Sequence, residues 1–308
     1  MRRILSFILV SVMSIGTIFN TAQATEYPLP PEGSRLIGEN IIYKIPDDST
    51  MDLETIAAKY KVGFYAMLQA NPGIDAWLPK PGSEIIIPHQ MLLPDTKREG
   101  IVVNLTEMRL FYFPKGQNKV IVYPIGIGLQ GIDTPLMTTS ISQKIPNPTW
   151  TPTPSIRKRY AAQGVTLPAV WPAGPDNPMG EFALRLAYGS GTYLIHGTNA
   201  DFGIGLRVSS GCIRLRPDDI KALFGKVAKG ERVQIISEAI KVSVEPDGRR
   251  YVEVHEPLSK REGEDTKTLP IPLNQSVKAF STHPNTDTAL FEEQYKRRSG
   301  LPTQVGRL

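Results

Sequence analysis

Cysteine and histidine are scarce in this chain of 308 residues, which contains a single cysteine, Cys212, and only four histidines. One cysteine cannot form an internal disulfide, so a fold held together by disulfides is excluded. A zinc site needs three or four clustered ligands, and His89, His255 and His283 lie in sequence contexts unlike that of Cys212. We therefore expect no metal and no other cofactor.

The chain also has little excess of positive over negative charge and few long hydrophobic runs. The formal net charge is +5, and the basic residues are too scattered to predict nucleic-acid binding. A mild positive excess would suit an anionic surface such as a cell wall. Beyond the N-terminus, no stretch reaches the roughly 20 apolar residues that a membrane-spanning helix needs.

The apolar run at the N-terminus has the pattern of a secretory signal peptide. Arg2 and Arg3 precede the mostly apolar residues 4–19, and Ala22-Gln23-Ala24 fits a small-x-small cleavage site. A membrane anchor is the alternative, but the run is short for a bilayer and is interrupted by serines. No cysteine is near the cleavage site, so we expect no lipid-modified N-terminus. We predict a signal peptide over 1–24 and a mature protein outside the cytoplasm.

If the protein is exported, the presence of a single thiol narrows the possible roles of Cys212. An unpaired cysteine in an oxidising compartment is either an intermolecular partner or a reactive thiol. The alternative is a buried, inert thiol, which is common among free cysteines.

Residues 40–88 have the pattern of a small βααβ unit. A short strand at 40–46 is followed by a helix-start signal and by helical spacing over 51–62. A second short helix is expected at 63–71, then a turn and a strand over 78–88. Residues 89–99 are charged and read as a linker.

From residue 98 to 237 the pattern is typical of a β-rich domain with few helices. Runs rich in β-branched and aromatic residues predict strands, and one helix is expected at 217–227; the strand runs are 101–114, 119–128, 181–188, 192–197 and 232–237. The proline-studded stretch 142–178 is expected to be a long surface excursion. In the extension 238–308, Asp247-Gly248 predicts a hairpin, and 287–298 predicts an amphipathic helix.

A glycine-rich motif at Gly126–Gly131 satisfies G-x-G-x-x-G after a strand. A dinucleotide site requires a helix to begin there. Ile132-Asp133-Thr134-Pro135 and strand-like residues follow instead, so we expect no nucleotide site.

His196 and Cys212 are the candidate catalytic pair. His196 ends an apolar strand before Gly197, and Cys212 follows Gly211 in a tight turn. Thiols react as thiolates, and a neighbouring imidazolium or arginine lowers their pKa below about 8.5. Arg207 and Arg214 supply positive charge nearby. We predict a nucleophile and base, with a lowered thiol pKa.

The same residues carry a resemblance to a known family. H-G-T-N at 196–199 followed by S-S-G-C-I-R-L at 209–215 resembles the active-site signature of L,D-transpeptidases with a YkuD-type catalytic domain. V-V-N-L-T-E-M-R-L-F-Y-F, P-I-G-I-G, T-P and P-A-G-P-D-N-P-M-G also match in order. One position departs, because the family commonly has S-H-G-C where this chain has Ser210.

A second resemblance covers the N-terminal unit. D-D-S-T-M-D-L-E-T-I-A-A-K-Y, Q-A-N-P-G-I and L-P-K-P-G-S-E-I-I-I-P resemble a LysM module, although the glycine of the family's usual opening is missing. Such modules bind the N-acetylglucosamine chains of peptidoglycan; a spacer that binds nothing is the alternative. The whole layout resembles the enterobacterial group that anchors a lipoprotein to the cell wall.

The resemblances imply a mainly β fold with short helices. A β-sandwich-like L,D-transpeptidase catalytic domain would occupy 98–237, and a small βααβ LysM-like peptidoglycan-binding domain would occupy 40–88. The C-terminal extension, 238–308, would hold the hairpin and the helix.

The resemblance also implies a mechanism. Cys212 would attack the carbonyl between the L-centre of diaminopimelate and the terminal D-alanine of a stem tetrapeptide, with His196 as base and acid. The backbone N–H groups of Gly211 and Cys212 would hold the oxyanion, and the carbonyl of Gly197 would orient the imidazole. The substrate-binding candidates are Arg214, whose guanidinium matches a carboxylate, Ser209 and Asn199.

The acceptor amine is left open by the motif. The resemblance implies a periplasmic enzyme that acts on peptidoglycan stem peptides, with the C-terminal lysine of an outer-membrane lipoprotein as the favoured acceptor and a periplasmic thiol reductant as a further partner. A second diaminopimelate residue, which gives 3→3 cross-links, and water are alternative acceptors. A non-catalytic wall-binding protein and a cysteine peptidase are rival classes, although wall peptidases generally place Cys before His.

Overall fold

The computed structural model describes residues 24–200, 202–261 and 263–308. The signal peptide expected at 1–24 lies outside the described residues except for Ala24. Among the described residues, no helix has both the length and the apolar character needed to cross a membrane.

The N-terminal part contains the predicted βααβ unit. The strands β3 and β4 pair antiparallel, and Asp52 caps the first helix by accepting a hydrogen bond from the N–H of Thr55 at 2.7 Å. The βααβ order is thus confirmed, and the two helices cover a small apolar core of their own. The elements are β1 (Thr25–Pro28), β2 (Leu36–Ile37), β3 (Ile41–Lys44), α1 (Leu53–Lys59), α2 (Phe64–Ala70), β4 (Glu84–Ile87) and β5 (Met91–Leu92).

A nine-stranded sheet forms the centre of the molecule, and the mainly β fold expected from the sequence is confirmed. Its order is β1-β8-β7-β6-β15-β10-β11-β12-β14. The elements of this part are β6 (Gly100–Asn104), β7 (Arg109–Phe113), β8 (Lys119–Pro124), β9 (Ile127–Gly128), β10 (Met137–Pro146), α3 (Pro154–Ala162), β11 (Phe182–Leu186), β12 (Leu194–His196), β13 (Arg207–Ser209), β14 (Ile213–Arg214), α4 (Pro217–Lys226) and β15 (Arg232–Ile236).

Side chains of the central strands alternate between the two faces of the sheet, and both faces are buried. Ile101 and Val103 belong to the large core enclosed by the sheet, whereas Val102 and Phe111 pack on the outer face under the N-terminal segment. Strand β1 joins the edge of this sheet by pairing with β8. The sequence did not predict this strand, because its pairing partner is far away in the chain.

Two sequence predictions in this region were wrong in detail. Residues 101–114 form two antiparallel strands, β6 and β7, with Met108 between them at a φ of 51°. The excursion 142–178 is partly regular, because β10 runs on to Pro146 and α3 lies within the stretch.

We define residues 147–180 as the cap segment. Its two arms are joined at Trp150 and Trp171, whose backbones exchange hydrogen bonds of 2.9 and 2.7 Å and whose rings lie 6.2 Å apart. This closure joins the two segments that flank α3.

The C-terminal part contains more structure than was predicted. The hairpin at Asp247-Gly248 is confirmed as β16 and β17, and the helix at 287–298 is confirmed as α6; an additional helix and strand complete the unit. The elements are β16 (Ile240–Val244), β17 (Arg249–Val254), α5 (Gln275–Ser281), α6 (Thr288–Arg297) and β18 (Thr303–Arg307). Both helices pack on the three-stranded sheet β16-β17-β18.

A buried charge network joins the C-terminal part to the central sheet. The Nζ of Lys241 lies 2.9 Å from carboxylate oxygens of both Glu107 and Glu253. Arg109 lies 3.0 Å from Glu107, and His255 lies 2.7 Å from Glu253. Removing one charged member of such a network would leave the remaining buried charges unbalanced, so the network fixes how the two parts pack.

Candidate active site

His196 is the last residue of β12, and Cys212 directly precedes the neighbouring strand β14. Strands β12 and β14 pair in parallel, with Ile195 opposite Ile213 and His196 opposite Arg214. Both isoleucines point into the core, so His196, Arg214 and Cys212 share the opposite face. Strand spacing and rise place the Cα atoms of His196 and Cys212 about 8 Å apart, within reach of their side chains.

The thiol of Cys212 lies against the start of β12. It donates a hydrogen bond to the carbonyl oxygen of Thr192 at 3.7 Å. Burial raises the pKa of the Cys212 thiol, while the N–H of Leu194 and the charge of Arg214 act in the opposite direction. The lowered thiol pKa expected from the sequence is therefore wrong for the free protein, because burial outweighs the nearby positive charge.

The imidazole of His196 is held by the backbone. Its Nδ1 lies 2.6 Å from the carbonyl oxygen of Gly197, as expected from the sequence. A carbonyl can only accept, so Nδ1 carries the proton and Nε2 of the neutral ring keeps its lone pair. The backbone of Met179 forms a further hydrogen bond with the imidazole. Burial and then the charge of Arg214 lower the pKa of His196 to about 4, so at neutral pH the pair is a thiol and a neutral imidazole.

The turn that presents Cys212 depends on Gly211. Gly211 has a φ of +95°, which side chains other than glycine rarely adopt, and a Cβ there would lie 3.2 Å from the ring of Tyr193. The hydroxyl of Ser209 donates to the carbonyl of Cys212, and that of Thr134 donates to the carbonyl of Gly211 at 3.0 Å. Ser209 is thus engaged within the turn.

The glycine-rich motif packs against this turn. Gly126 exchanges backbone hydrogen bonds of 2.8 and 2.9 Å with Arg214. A Cβ on Gly126 would lie 2.8 Å from the carbonyl oxygen of Gly203, and one on Gly128 would lie 2.3 Å from that of Ile132. Close backbone approach beside the reactive turn, rather than nucleotide binding, explains these glycines.

The N-terminal unit holds the loop between His196 and Cys212. The N–H of Gly203 donates to the Glu54 carboxylate at 2.8 Å. The N–H groups of Phe64 and Tyr65 donate to the carbonyls of Ile204 and Gly205 at 3.2 and 3.3 Å. Sequence reasoning missed this contact, since no local pattern reports which distant segment packs on a loop.

The cap segment approaches the same face. The guanidinium of Arg159 donates to the Ser210 hydroxyl at 3.4 Å, and the side chain of the exposed Asn199 donates to the carbonyl of Asp176 at 3.3 Å. Arg214 is half-buried, and its Nε is buried without a hydrogen-bond partner. Burial lowers the pKa of Arg214, while Tyr160 and Cys212 act to raise it. Arg159 and Tyr160 were not predicted as site residues.

Among the described residues, one group of possible metal ligands lies close enough together to bind an ion: Glu107, Glu253 and His255. This group does not include Cys212 or His196. The ammonium of Lys241 already lies 2.9 Å from both carboxylates, so it supplies the positive charge there. His89 instead contacts the Tyr27 hydroxyl at 2.9 Å.

Comparisons with known proteins agree with the site geometry. Residues 98–235 match the YkuD family, the L,D-transpeptidase catalytic domain, and residues 239–305 match the L,D-transpeptidase C-terminal domain. The chain is 57% identical over 288 residues to "Probable L,D-transpeptidase YcfS" of Escherichia coli strain K12, covering 93% of this chain and 90% of that protein. It is 53% identical to "Probable L,D-transpeptidase YbiS" of the same strain, covering 93% of this chain and 94% of that protein.

The similarity extends along nearly the full length. "Probable L,D-transpeptidase ErfK/SrfK" of Salmonella typhimurium strain LT2 is 51% identical over 308 residues, covering 99% of this chain and 98% of that protein.

Proposed function

The chain belongs to the L,D-transpeptidase family, and from that premise we propose that it is a periplasmic cysteine enzyme that moves a peptidoglycan stem peptide from D-alanine to a new amine. The observation that supports the proposal is the parallel pairing of β12, which ends at His196, with β14, which directly follows Cys212. The Gly197 carbonyl holds Nδ1 of His196 at 2.6 Å. This leaves Nε2 as the proton acceptor for the reaction.

The first half-reaction forms a thioester. Nε2 of His196 takes the thiol proton as Sγ of Cys212 attacks the carbonyl carbon at the L-centre of diaminopimelate. The oxyanion accepts hydrogen bonds from the backbone N–H groups of Gly211 and Cys212, which the fixed turn orients. The C–N bond breaks, the imidazolium protonates the departing amine, and D-alanine leaves.

The second half-reaction releases the acyl group. The acceptor amine attacks the thioester carbonyl, Nε2 of His196 takes one of its protons, and the C–S bond breaks. The proton then returns to Sγ of Cys212. Each half-reaction begins and ends with a neutral pair, in keeping with the raised pKa of Cys212 and the lowered pKa of His196.

The other predicted site residues take supporting roles in this proposal. Arg214 binds a donor carboxylate, because its half-buried guanidinium has an unpartnered Nε and lies on the face of Cys212. Ser209 shapes the turn from within. Asn199 borders the substrate from the loop after His196, where it contacts the cap segment.

The domain roles follow the same proposal. Residues 98–237 carry out the chemistry, and 40–88 bind the glycan strand whose stem peptides are the donors. In this unit the neighbouring side chains of Trp77 and Leu78 are 82% and 60% exposed, and we assign the glycan to the surface that they form. Residues 238–308 brace the catalytic sheet through Lys241.

For the acceptor, we propose the C-terminal lysine of an outer-membrane lipoprotein, with a periplasmic thiol reductant keeping the single Cys212 reduced. Formation of 3→3 links between two diaminopimelate residues is the second candidate, since a stem peptide also carries a free amine. Because the thioester can react with either amine, the acceptor is decided by relative rates.

A competition experiment tests the proposal. The mature protein is incubated with tetrapeptide muropeptide plus equal amounts of a peptide ending in lysine and a second stem peptide, and products are separated by mass spectrometry. The lysine adduct should dominate, and a Cys212→Ala variant should give none. Predominant 3→3 dimers would support the second candidate, hydrolysis alone would indicate a carboxypeptidase, and no release of D-alanine would favour a wall-binding protein.

A further inference from the structure

Two arginines meet the turn that carries Cys212: Arg159 contacts Ser210, and Arg214 belongs to the strand that follows the turn. Arg214 lies in β14, two residues after Cys212 and opposite His196 of β12. Arg159 approaches from the cap segment and donates to the hydroxyl of Ser210, two residues before Cys212. Among the ion pairs of the described residues, neither arginine has a carboxylate partner.

The cap segment presents Arg159 in a defined place. Helix α3 is capped by Thr153, whose hydroxyl accepts from the N–H of Ile156 at 3.3 Å, and Ile156 is buried beneath the helix. Arg159 and Tyr160 lie three and four residues further on, so they share the inward side with Ile156. Lys158 is exposed and does not share this side.

The contact between Arg159 and the turn is made at Ser210, which has a small side chain. The family signature has an imidazole at this position, whereas here a small hydroxyl accepts from Arg159. The departure from the signature therefore coincides with the point where the cap cation meets the reactive turn.

The donor in the proposed function carries two carboxylates near the bond that breaks. The carboxylate of D-alanine lies three covalent bonds from the reacting carbonyl carbon, and the free carboxylate at the D-centre of diaminopimelate lies six bonds away on the other side. Two guanidinium groups without carboxylate partners, which reach the turn at Ser210 and at Arg214, can each bind one of the two carboxylates of the donor.

We propose that Arg159 is a specificity residue that binds the free carboxylate at the D-centre of diaminopimelate, while Arg214 takes the carboxylate of D-alanine. The assignment of the nearer carboxylate to Arg214 follows from its position opposite His196 and on the face of Cys212. Arg159 reaches the turn from helix α3, at Ser210. We therefore assign to it the carboxylate that lies further from the reacting carbonyl, at the D-centre of diaminopimelate. The inference rests on the proposed function.

Three donors and three variants test the assignment. The donors are the native tetrapeptide, the same peptide with the D-centre carboxylate amidated, and a peptide ending in D-alaninamide. With the native donor, Arg159→Gln should raise KM about 10- to 100-fold, the loss typical of a hydrogen bond to a charged group, and should change kcat less. Arg159→Lys should recover part of the loss, and Lys158→Gln, the matched change on the exposed side of α3, should have no effect.

The amidated donors give the decisive contrast. Arg159→Gln should cause no further loss with the donor amidated at the D-centre, and the full loss with the D-alaninamide donor. Equal losses on both amidated donors, or no loss on the native donor, would overturn the inference. If the wild-type protein releases D-alanine from none of the three donors, the proposed function fails first and this inference falls with it, which is a distinct outcome.

Discussion

Gly205 lies directly against Gly63, and no side chain fits between them. A Cβ atom on Gly205 would lie 2.8 Å from the Cα of Gly63 and 2.4 Å from the backbone nitrogen of Phe64. Gly205 belongs to the loop between His196 and Cys212, and Gly63 precedes helix α2 of the N-terminal unit. The N-terminal unit therefore takes part in shaping the loop that joins the two reactive residues.

We expect Gly205→Ala to reduce activity sharply. The methyl group would push the loop away from Phe64, and Gly205 also has a φ of +87°. Displacements of about 1 Å near reacting groups can lower rates about 100-fold, so kcat for D-alanine release should fall by at least about tenfold. The control is Gly116→Ala, which has a φ of +73° but no atom within 4 Å of the new Cβ. Equal kcat for both variants would show that the contact does not position the site.

Local sequence pattern was sufficient for much of the fold and for choosing Cys212 and His196 as the candidate pair. The βααβ unit, the helix at 217–227 and the hairpin at Asp247-Gly248 depend on short-range spacing and turn residues, which the sequence displays directly. Cys212 was identified because it is the single cysteine of the chain and lies in a recognisable motif.

The remaining features depend on long-range packing. Strand β1 joins the sheet by pairing with a strand about a hundred residues away in the chain. Arg159 contacts Ser210 from the proline-rich stretch 142–178, whose sequence does not indicate where it packs. The raised pKa of Cys212 was missed for a related reason, since neighbouring arginines are visible in the sequence but burial is not.

The pH dependence of catalysis should respond to Arg214. Its positive charge disfavours the imidazolium and so lowers the pKa of His196, and it also favours the thiolate of Cys212. In the wild type, kcat/KM should fall on the acid side near pH 4, as His196 becomes protonated and can no longer act as base. In Arg214→Gln both pKa values should rise, so the acid limb should move upward, at most towards the ordinary histidine value of about 6.5.

The measurement is a kcat/KM profile for both proteins, together with an NMR titration of His196. The position of the acid limb does not depend on how much activity the variant keeps. An unchanged limb would mean that Arg214 does not act on the imidazole.

The buried network should dominate the docking of the C-terminal part. Lys241→Met removes the ammonium between Glu107 and Glu253 and leaves two buried carboxylates, so we expect a loss of about 3–5 kcal/mol in the free energy of unfolding. Lys119→Met, which removes the partly exposed pair with Glu26, should cost less than about 1 kcal/mol. Urea unfolding measures both, and equal losses would contradict the assigned role of Lys241.

Glycan binding by the N-terminal unit should depend on Trp77. The carboxylate of Asp75 accepts from the N–H groups of Trp77 and Leu78 at 2.9 and 3.0 Å, so the exposed indole stands on an ordered loop. Trp77→Ala should weaken binding of peptide-free glycan strands about tenfold or more, as truncated aromatic anchors typically do. Ile42→Ala, an exposed apolar residue of the same unit, is the control in calorimetric titrations. Unchanged affinity for Trp77→Ala would place any glycan site elsewhere.

Acyl transfer through Cys212 can be tested by measuring the intact mass of the protein after brief exposure to tetrapeptide muropeptide under reducing conditions, without an acceptor amine. We predict a covalent acyl adduct that maps to Cys212, accompanied by free D-alanine, and absent from Cys212→Ala. His196→Ala should accumulate it at least about 100-fold more slowly, in line with the loss of a general base. Release of D-alanine with no adduct under conditions that trap thioesters, or an adduct that persists in Cys212→Ala, would contradict the proposal that the Cys212 thiol carries the acyl group with His196 as its base.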